Sequence, residues 1–191
     1  MYDKAWRVLP KSMRRKEETM ILIIGGAWQG KLVFAMELAM SAGKMKKDDG
    51  KTHVTPLFEN SATHFTGHQL DMQADPLASS VCKSGQSTGY QFAEGSKDSF
   101  EAAMTCPIIH GLHEYIRRLL KEGKSVDAFL EAVWRQNPDV IITSDELGCG
   151  IVPFDPADRE WREVSGRASV RLARISREVY RMVCGIATQI K

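Results

Sequence analysis

The feature that most constrains the fold is a glycine loop between a short apolar run and an amphipathic segment. Ile21 to Ile24 are typical of a strand that is buried on both faces of a parallel sheet. The loop from Gly25 to Lys31 then matches the pattern GxxxxGK. From Lys31 to about Ala42, apolar residues recur at helical spacing. This order of strand, glycine loop and helix predicts an α/β domain whose loop binds a phosphate group.

The residues of this loop have separate chemical roles. Glycine lets the backbone turn so that N–H groups and the helix N-terminus point at an anion, and Lys31 adds a positive charge for the terminal phosphates. Leu32 has no side-chain oxygen for Mg²⁺, although such loops usually have Ser or Thr there. A glycine turn that only joins strand to helix remains the alternative. The predicted nucleotide-binding residues are Gly25, Gly26, Ala27, Trp28, Gln29, Gly30, Lys31 and Leu32, with Lys31 also catalytic.

A second apolar run, Val140 to Ile142, ends close to two acidic residues, Asp145 and Glu146. Ligands bind outside the carboxyl ends of parallel strands, so both carboxylates belong to the candidate site. Either could orient Mg²⁺ through water or accept a proton from a substrate hydroxyl, and we expect Glu146 to be catalytic and Asp145 to contact substrate or phosphate. Alternatively, Asp145 caps a turn and Glu146 pairs with an arginine of the last helix.

Three further residues enter as candidates. Arg167 lies on a helical face that could neutralise phosphate; the alternative is a solvated face that pairs with neighbouring glutamates. His110 and His113 are three residues apart on a predicted helix, and each could act as a base or covalent acceptor, although packing is the interpretation that we favour. No metal site is predicted from the spacing of the histidines and cysteines.

Length and composition indicate one domain. The 191 residues leave no room for two large domains. Residues 1–19 are basic and are predicted to be a flexible tail, whereas residues 20–191 are predicted to form the domain. Within it, about residues 44–89 are polar and lack periodicity, which predicts a functional or mobile insertion.

The remaining pattern predicts an α/β sandwich with a largely parallel sheet. It contains three further helices and one last strand. The helices are predicted through Ile108 to Leu119, from Ser125 to about Trp134 and from Asp155 to about Arg177, and the strand from Val179 to Cys184.

The charge and the apolar pattern give no support for a nucleic-acid partner or a membrane span. A net charge of +2 offers no argument for binding nucleic acid or a membrane surface. The longest apolar stretch, Met20 to Trp28, is too short to cross a bilayer. Four widely spaced cysteines predict free thiols, and hence a cytoplasmic protein.

The run from Glu146 to Pro153, ELGCGIVP, brings a family into view. With the loop, Gly166-Arg167, Leu172-Ala173 and Val183 to Ile186, it resembles the bifunctional adenosylcobinamide kinase and adenosylcobinamide-phosphate guanylyltransferases of cobalamin biosynthesis. The resemblance implies a P-loop NTPase-like three-layer sandwich whose sheet is extended by a C-terminal hairpin. It further implies ATP or GTP with Mg²⁺ as cofactors, a corrinoid substrate, and a homo-oligomer that is often a trimer.

The chain departs from the family pattern at several positions. Leu32 replaces the loop serine, Asp145 stands where asparagine is usual, Ser169-Val170 replace Asn-Gln, and His110 stands where the family has an aspartate at a strand end. Between residues 44 and 100 we find no counterpart of the segment that carries the guanylylated histidine. We therefore expect a nucleoside-triphosphate-dependent kinase that phosphorylates adenosylcobinamide, without predicting guanylyl transfer. The alternatives are a non-catalytic nucleotide or corrinoid binder and a P-loop kinase for another small hydroxylated substrate.

Overall fold

A computed structural model describes residues 19–45 and 92–191 of the chain. The predicted basic tail, residues 1–19, and the predicted polar insertion at about residues 44–89 lie almost entirely outside these two ranges.

The described residues form one six-stranded sheet in the order β2-β3-β4-β1-β5-β6. Neighbouring strands are parallel except for the antiparallel pair β5 and β6. The strands are β1 (Ile21–Gly25), β2 (Ala93–Glu94), β3 (Ile108–His110), β4 (Ile141–Asp145), β5 (Glu178–Val183) and β6 (Ile186–Gln189). The helices are α1 (Lys31–Ser41), α2 (Ala102–Thr105), α3 (Leu112–Lys121), α4 (Val126–Gln136) and α5 (Pro156–Ile175), and a short 3₁₀ turn covers Leu147–Cys149.

Alternating side chains of the sheet bury two separate apolar clusters. Ile23, Ile108 and Ile141 lie in the cluster with α1, whereas their chain neighbours Leu22 and Ile142 lie in the other one. Helices α3, α4 and α5 cover that second face with buried residues that include Leu112, Ile116, Phe129, Val133, Ala168 and Leu172. The predicted P-loop NTPase-like three-layer sandwich with a largely parallel sheet is therefore confirmed.

The predicted C-terminal hairpin is also confirmed. Cys184 and Gly185 connect β5 to β6 with positive φ angles of 51° and 80°, as a two-residue type I′ turn requires. Beyond the hairpin, the Lys191 amino group donates hydrogen bonds to the carbonyl oxygens of Ala173, Arg174 and Ser176. Because these carbonyls lie at or just beyond the end of α5, the lysine caps that helix from the hairpin.

One predicted helix is wrong at its start. Ile108 belongs to β3, and α3 begins only after Gly111, which has a φ of 73°. Ile108 of the strand and Leu112 of the helix are four residues apart, which is also the spacing of apolar residues along one face of a helix. The pattern therefore predicted a single helix through both residues. A three-residue strand is too short to reveal a period of its own.

The cysteine expectation holds at two positions and fails at one. Cys149 and Cys184 are free and exposed. Cys106 is disulfide-bonded. Spacing along the chain does not show which cysteines meet in space, so this pairing was missed. Within residues 19–45 and 92–191, each helix is too short or too polar to cross a bilayer.

A close backbone approach between the end of β2 and the start of α3 can be tested with two alanine variants. A Cβ at Gly95 would lie 2.1 Å from the Gly111 carbonyl oxygen, whereas one at Gly166 on the exposed side of α5 would meet nothing within 4 Å. We expect Gly95→Ala to lower the free energy of unfolding by about 1 to 3 kcal/mol through overpacking. Gly166→Ala should raise it by roughly 0.5 to 1 kcal/mol. Urea unfolding measures both, and a Gly95→Ala variant as stable as the wild type would contradict the close approach.

Candidate active site

The glycine loop leaves the sheet where three parallel strands end together. Gly25, the last residue of β1, is in register with Asp145 of β4 and Met182 of β5. A Cβ at Gly25 would lie 2.6 Å from the Met182 carbonyl oxygen, so glycine is needed for this packing. The loop therefore opens at the carboxyl edge of the sheet, where ligands bind in folds of this class.

The N-terminus of α1 is arranged for an anion. Helices α4 and α5 are capped by the side chains of Ser125 and Asp155, each of which accepts a backbone hydrogen bond. Helix α1 instead follows Gly30, with a φ of 81°, and has neither a side-chain cap nor an acidic residue in its first turn. Its first N–H groups and the positive end of its dipole are thus left to a ligand such as phosphate.

Lys31 is buried at this helix start and is held by two acceptors. Only 5% of its surface is exposed. Its Nζ atom lies 2.8 Å from Asp145 Oδ1 and donates a 2.5 Å hydrogen bond to the Gly26 carbonyl oxygen. A buried ammonium group needs such partners, because its desolvation is costly. An entering phosphate would compete with the Asp145 carboxylate for this charge.

Glu146 lies beside the same loop and makes a second ion pair. Its N–H group donates to the Gly25 carbonyl oxygen at 3.0 Å, and its Oε2 atom lies 3.1 Å from an Arg181 nitrogen. The alternative in which Glu146 pairs with an arginine of the last helix is thus wrong, because Arg181 belongs to β5. Asp145 therefore pairs with Lys31 at the end of the loop, whereas Glu146 pairs with Arg181 of the neighbouring strand β5.

The tip of the loop is shaped by Trp28 and Gln29. Trp28 has a φ of 62°, and a positive φ is rare for a residue with a bulky side chain. Its side chain is 86% exposed. The Gln29 side chain accepts a hydrogen bond from the Cys184 backbone N–H, so the loop is tied to the turn of the hairpin. Leu32 packs into the apolar cluster under α1. It therefore offers a ligand neither an oxygen nor a charge.

His113 contacts Asp145 in the site, whereas the sequence interpretation favoured a packing role for this histidine. Its Nδ1 atom accepts a 3.1 Å hydrogen bond from the Asp145 N–H group, and its Nε2 atom lies 3.7 Å from Asp145 Oδ2. Burial lowers the pKa of His113, which favours the neutral ring that this acceptor role requires. The proton then resides on Nε2, facing the carboxylate. No sequence signal distinguishes this histidine from a packed one.

His110 lies on the same sheet edge, at the end of β3. Its Nδ1 atom is 2.9 Å from the Thr143 hydroxyl oxygen, which also accepts a hydrogen bond from the Gly111 N–H group at 3.2 Å. Burial lowers the pKa of His110 as well. The prediction that the two histidines share a helix is therefore wrong. His110 approaches the carboxyl edge of the sheet from strand β3, and His113 approaches it from helix α3.

Arg167 is placed apart from these groups. It is exposed on α5 and pairs with Glu163, one turn earlier in the same helix. In residues 19–45 and 92–191, no hydrogen bond or ion pair joins Arg167 to the loop. Its role toward phosphate stays a prediction.

Comparison with known proteins supports the family resemblance over part of the chain. Residues 98–190, just under half of the chain, match the family model described as cobinamide kinase / cobinamide phosphate guanyltransferase. The resemblance to this family is confirmed there. The match contains the ELGCGIVP run but begins after the glycine loop, so the assignment of the loop depends on its geometry.

Two curated relatives share the name bifunctional adenosylcobalamin biosynthesis protein CobU. The protein from Salmonella typhimurium is 35% identical over 66 residues, and the protein from Escherichia coli is 33% identical over 66 residues. Each match covers 35% of this chain and 36% of the relative. The chain is thus similar to the cobinamide kinase / cobinamide phosphate guanyltransferase family, at a modest identity that is consistent with a divergent member.

The environment of His113 predicts how stability depends on pH. Its pKa lies below the ordinary 6.5 in the folded protein, so between these two values the unfolded chain binds more protons. The free energy of unfolding should therefore fall as the pH falls through this window. In His113→Asn, the amide oxygen can still accept from the Asp145 N–H group but does not titrate there. We expect a shallower acid dependence in urea unfolding across pH 7 to about pH 5. Equal slopes in the two proteins would contradict a buried, neutral His113.

Proposed function

We propose that this chain is a nucleoside-triphosphate-dependent transferase of cobalamin biosynthesis that phosphorylates adenosylcobinamide. The observation that supports it best is the buried Lys31 amino group at an uncapped helix N-terminus, opposite Asp145, at the carboxyl edge of a parallel sheet. The match of residues 98–190 to the cobinamide kinase model supports the choice of substrate class.

The nucleotide would bind with its phosphates in the loop. The N–H groups of Gly26 to Leu32 and the start of α1 supply hydrogen-bond donors, and Lys31 turns from Asp145 to the terminal phosphates. Phosphoryl transfer needs mainly positioning and neutralisation of charge, both of which this loop offers. Glu146 would stay beside the loop through its pair with Arg181. Both ATP and GTP fit this role, because the groups assigned here would contact the phosphates and not the base.

Mg²⁺ would enter with the nucleotide. The side chains that face the loop fit this ion only in part, because Leu32 packs into the core where a hydroxyl ligand would otherwise stand. Among the described residues, no cluster of three or more metal-ligating side chains is present. Mg²⁺ commonly keeps several waters and takes one or two carboxylates plus phosphate oxygens. Asp145, once released by Lys31, is the carboxylate that we assign to this role.

The partners in this proposal are a nucleotide, a corrinoid and further copies of the chain. Ile151, Val152 and Phe154 follow the ELGCG turn and are strongly exposed, with 96%, 68% and 99% of their surface accessible. Arg159 donates to the carbonyl oxygens of Pro153 and Phe154 and so braces this segment. Exposed apolar side chains of this kind favour a contact between copies, as in the trimer that the family resemblance implies. A cytoplasmic location remains part of the proposal, but the disulfide at Cys106 removes one of the free thiols on which that expectation was based.

Incubation of the full chain with Mg²⁺, GTP or ATP, and adenosylcobinamide tests the proposal. Mass spectrometry should detect phosphorylated corrinoid and unmodified protein, because no counterpart of the guanylylated histidine segment is found in the sequence. Leu32→Ser should lower the Mg²⁺ concentration needed for half-maximal rate, since it restores a hydroxyl ligand. Nucleotide binding without any phosphorylated corrinoid would contradict the kinase and favour a non-catalytic binder. A guanylyl adduct on the protein would show that the second activity has been retained.

A further inference from the structure

A row of polar side chains continues beyond the glycine loop along the carboxyl edge of the sheet. Glu94 of β2 is in register with His110 of β3. The pairing of Ile109 with Ile142 places His110 beside Thr143 of β4, two residues before Asp145. Residues in register, and residues two apart on one strand, share a face of the sheet. The row therefore lies on the face that α1 and Lys31 cover.

The hydrogen bonds of His110 leave one ring nitrogen available. The Thr143 hydroxyl oxygen has two lone pairs. One accepts the Gly111 N–H group at 3.2 Å, and the other can accept an N–H group from His110 Nδ1 at 2.9 Å. In that tautomer, Nε2 carries a lone pair, and His110 is only partly buried. Phe92, at 6.2 Å between ring centres, meets the imidazole edge to face and limits its rotation.

We propose that His110 is the general base of the phosphoryl transfer, accepting the proton of the acceptor hydroxyl at Nε2. This inference rests on the proposed kinase function. The hydroxyl oxygen forms a bond to the γ-phosphorus while the bond from that phosphorus to the β–γ bridging oxygen breaks, and the nucleoside diphosphate leaves. The hydroxyl proton passes to Nε2, and the resulting imidazolium later returns it to solvent.

The charges around His110 suit a group that gains and loses a proton. Burial favours its neutral form, and Lys31 of α1 and His113 of α3 act in the same direction. Glu94 of β2 and Asp145 of β4 oppose this by attracting the protonated form. Glu94 Oε2 is buried without a hydrogen-bond partner in the described part of the chain, with the Lys97 amino group 3.5 Å away. Its negative charge can therefore stabilise the imidazolium as it forms.

The first test needs no activity. Long-range ¹H–¹⁵N correlation spectra report the tautomer and charge of each histidine ring, and the signals missing from His110→Asn assign this residue. In the nucleotide-free wild type at pH 7, we expect a neutral ring with its proton on Nδ1. A ring with its proton on Nε2, or a ring that is already protonated at pH 7, would overturn the proposal.

The second test compares two variants with the wild type in the phosphorylation of adenosylcobinamide. In His110→Asn, the amide N–H can still donate to Thr143, but no base remains, so kcat should fall about 10²- to 10⁴-fold. The affinity for a non-hydrolysable GTP analogue should be unchanged. His110→Asp supplies a different base and should restore part of kcat. Its rate should also persist to lower pH than that of the wild type, since a carboxylate loses its proton at lower pH than imidazole.

Circular dichroism and urea unfolding test whether both variants fold. If folded His110→Asn retains wild-type kcat, His110 is not the base. If the wild type makes no phosphorylated corrinoid, the proposed function fails, and His110 is judged on GTP hydrolysis, with water as the acceptor. A rate lowered in His110→Asn would still support the base, whereas equal rates, or no hydrolysis by either protein, would overturn it.

Discussion

The buried ion pair between Lys31 and Asp145 is the interaction on which the site depends. It joins the first residue of α1 to the last residue of β4, across the end of β1. A lysine buried to this degree would be costly without its carboxylate partner. The pair therefore holds a buried positive charge in place at the end of the loop, beside a helix N-terminus that has no side-chain cap.

Asp145 also connects the two helical layers of the sandwich. Lys31 reaches it from α1 on one face of the sheet, and His113 reaches it from α3 on the other. The His113 carbonyl oxygen accepts a 2.6 Å hydrogen bond from the Trp161 indole, whose ring lies under the Arg117 guanidinium at 4.4 Å. The carboxylate at the centre of the site is thus positioned by contacts that extend to α5. Packing far from the loop contributes to its geometry.

Part of this arrangement could be predicted from the sequence. The order of a strand, a glycine loop and a helix predicts a phosphate-binding loop, and the parallel strands bring Asp145 to its edge. The pairing of Asp145 with Lys31, and of Glu146 with Arg181, depends on strand order and register, which a single sequence does not show. His110 was assigned to a helix because a three-residue strand has no detectable period. Packing is favoured for His113 at the sequence level because its contact is with the backbone N–H group of Asp145, which leaves no sequence pattern.

The central claim is that nucleotide phosphates bind at Lys31. Calorimetric titration of a non-hydrolysable GTP or ATP analogue with Mg²⁺ tests it most directly, in the wild type, Lys31→Ala and Lys124→Ala. Lys124 is exposed and pairs with Glu122, so it serves as a matched loss of one lysine. The account predicts one site per chain, with affinity reduced about tenfold or more in Lys31→Ala, a loss of about 1.4 kcal/mol, and retained in Lys124→Ala. Equal affinity in Lys31→Ala and the wild type would contradict it.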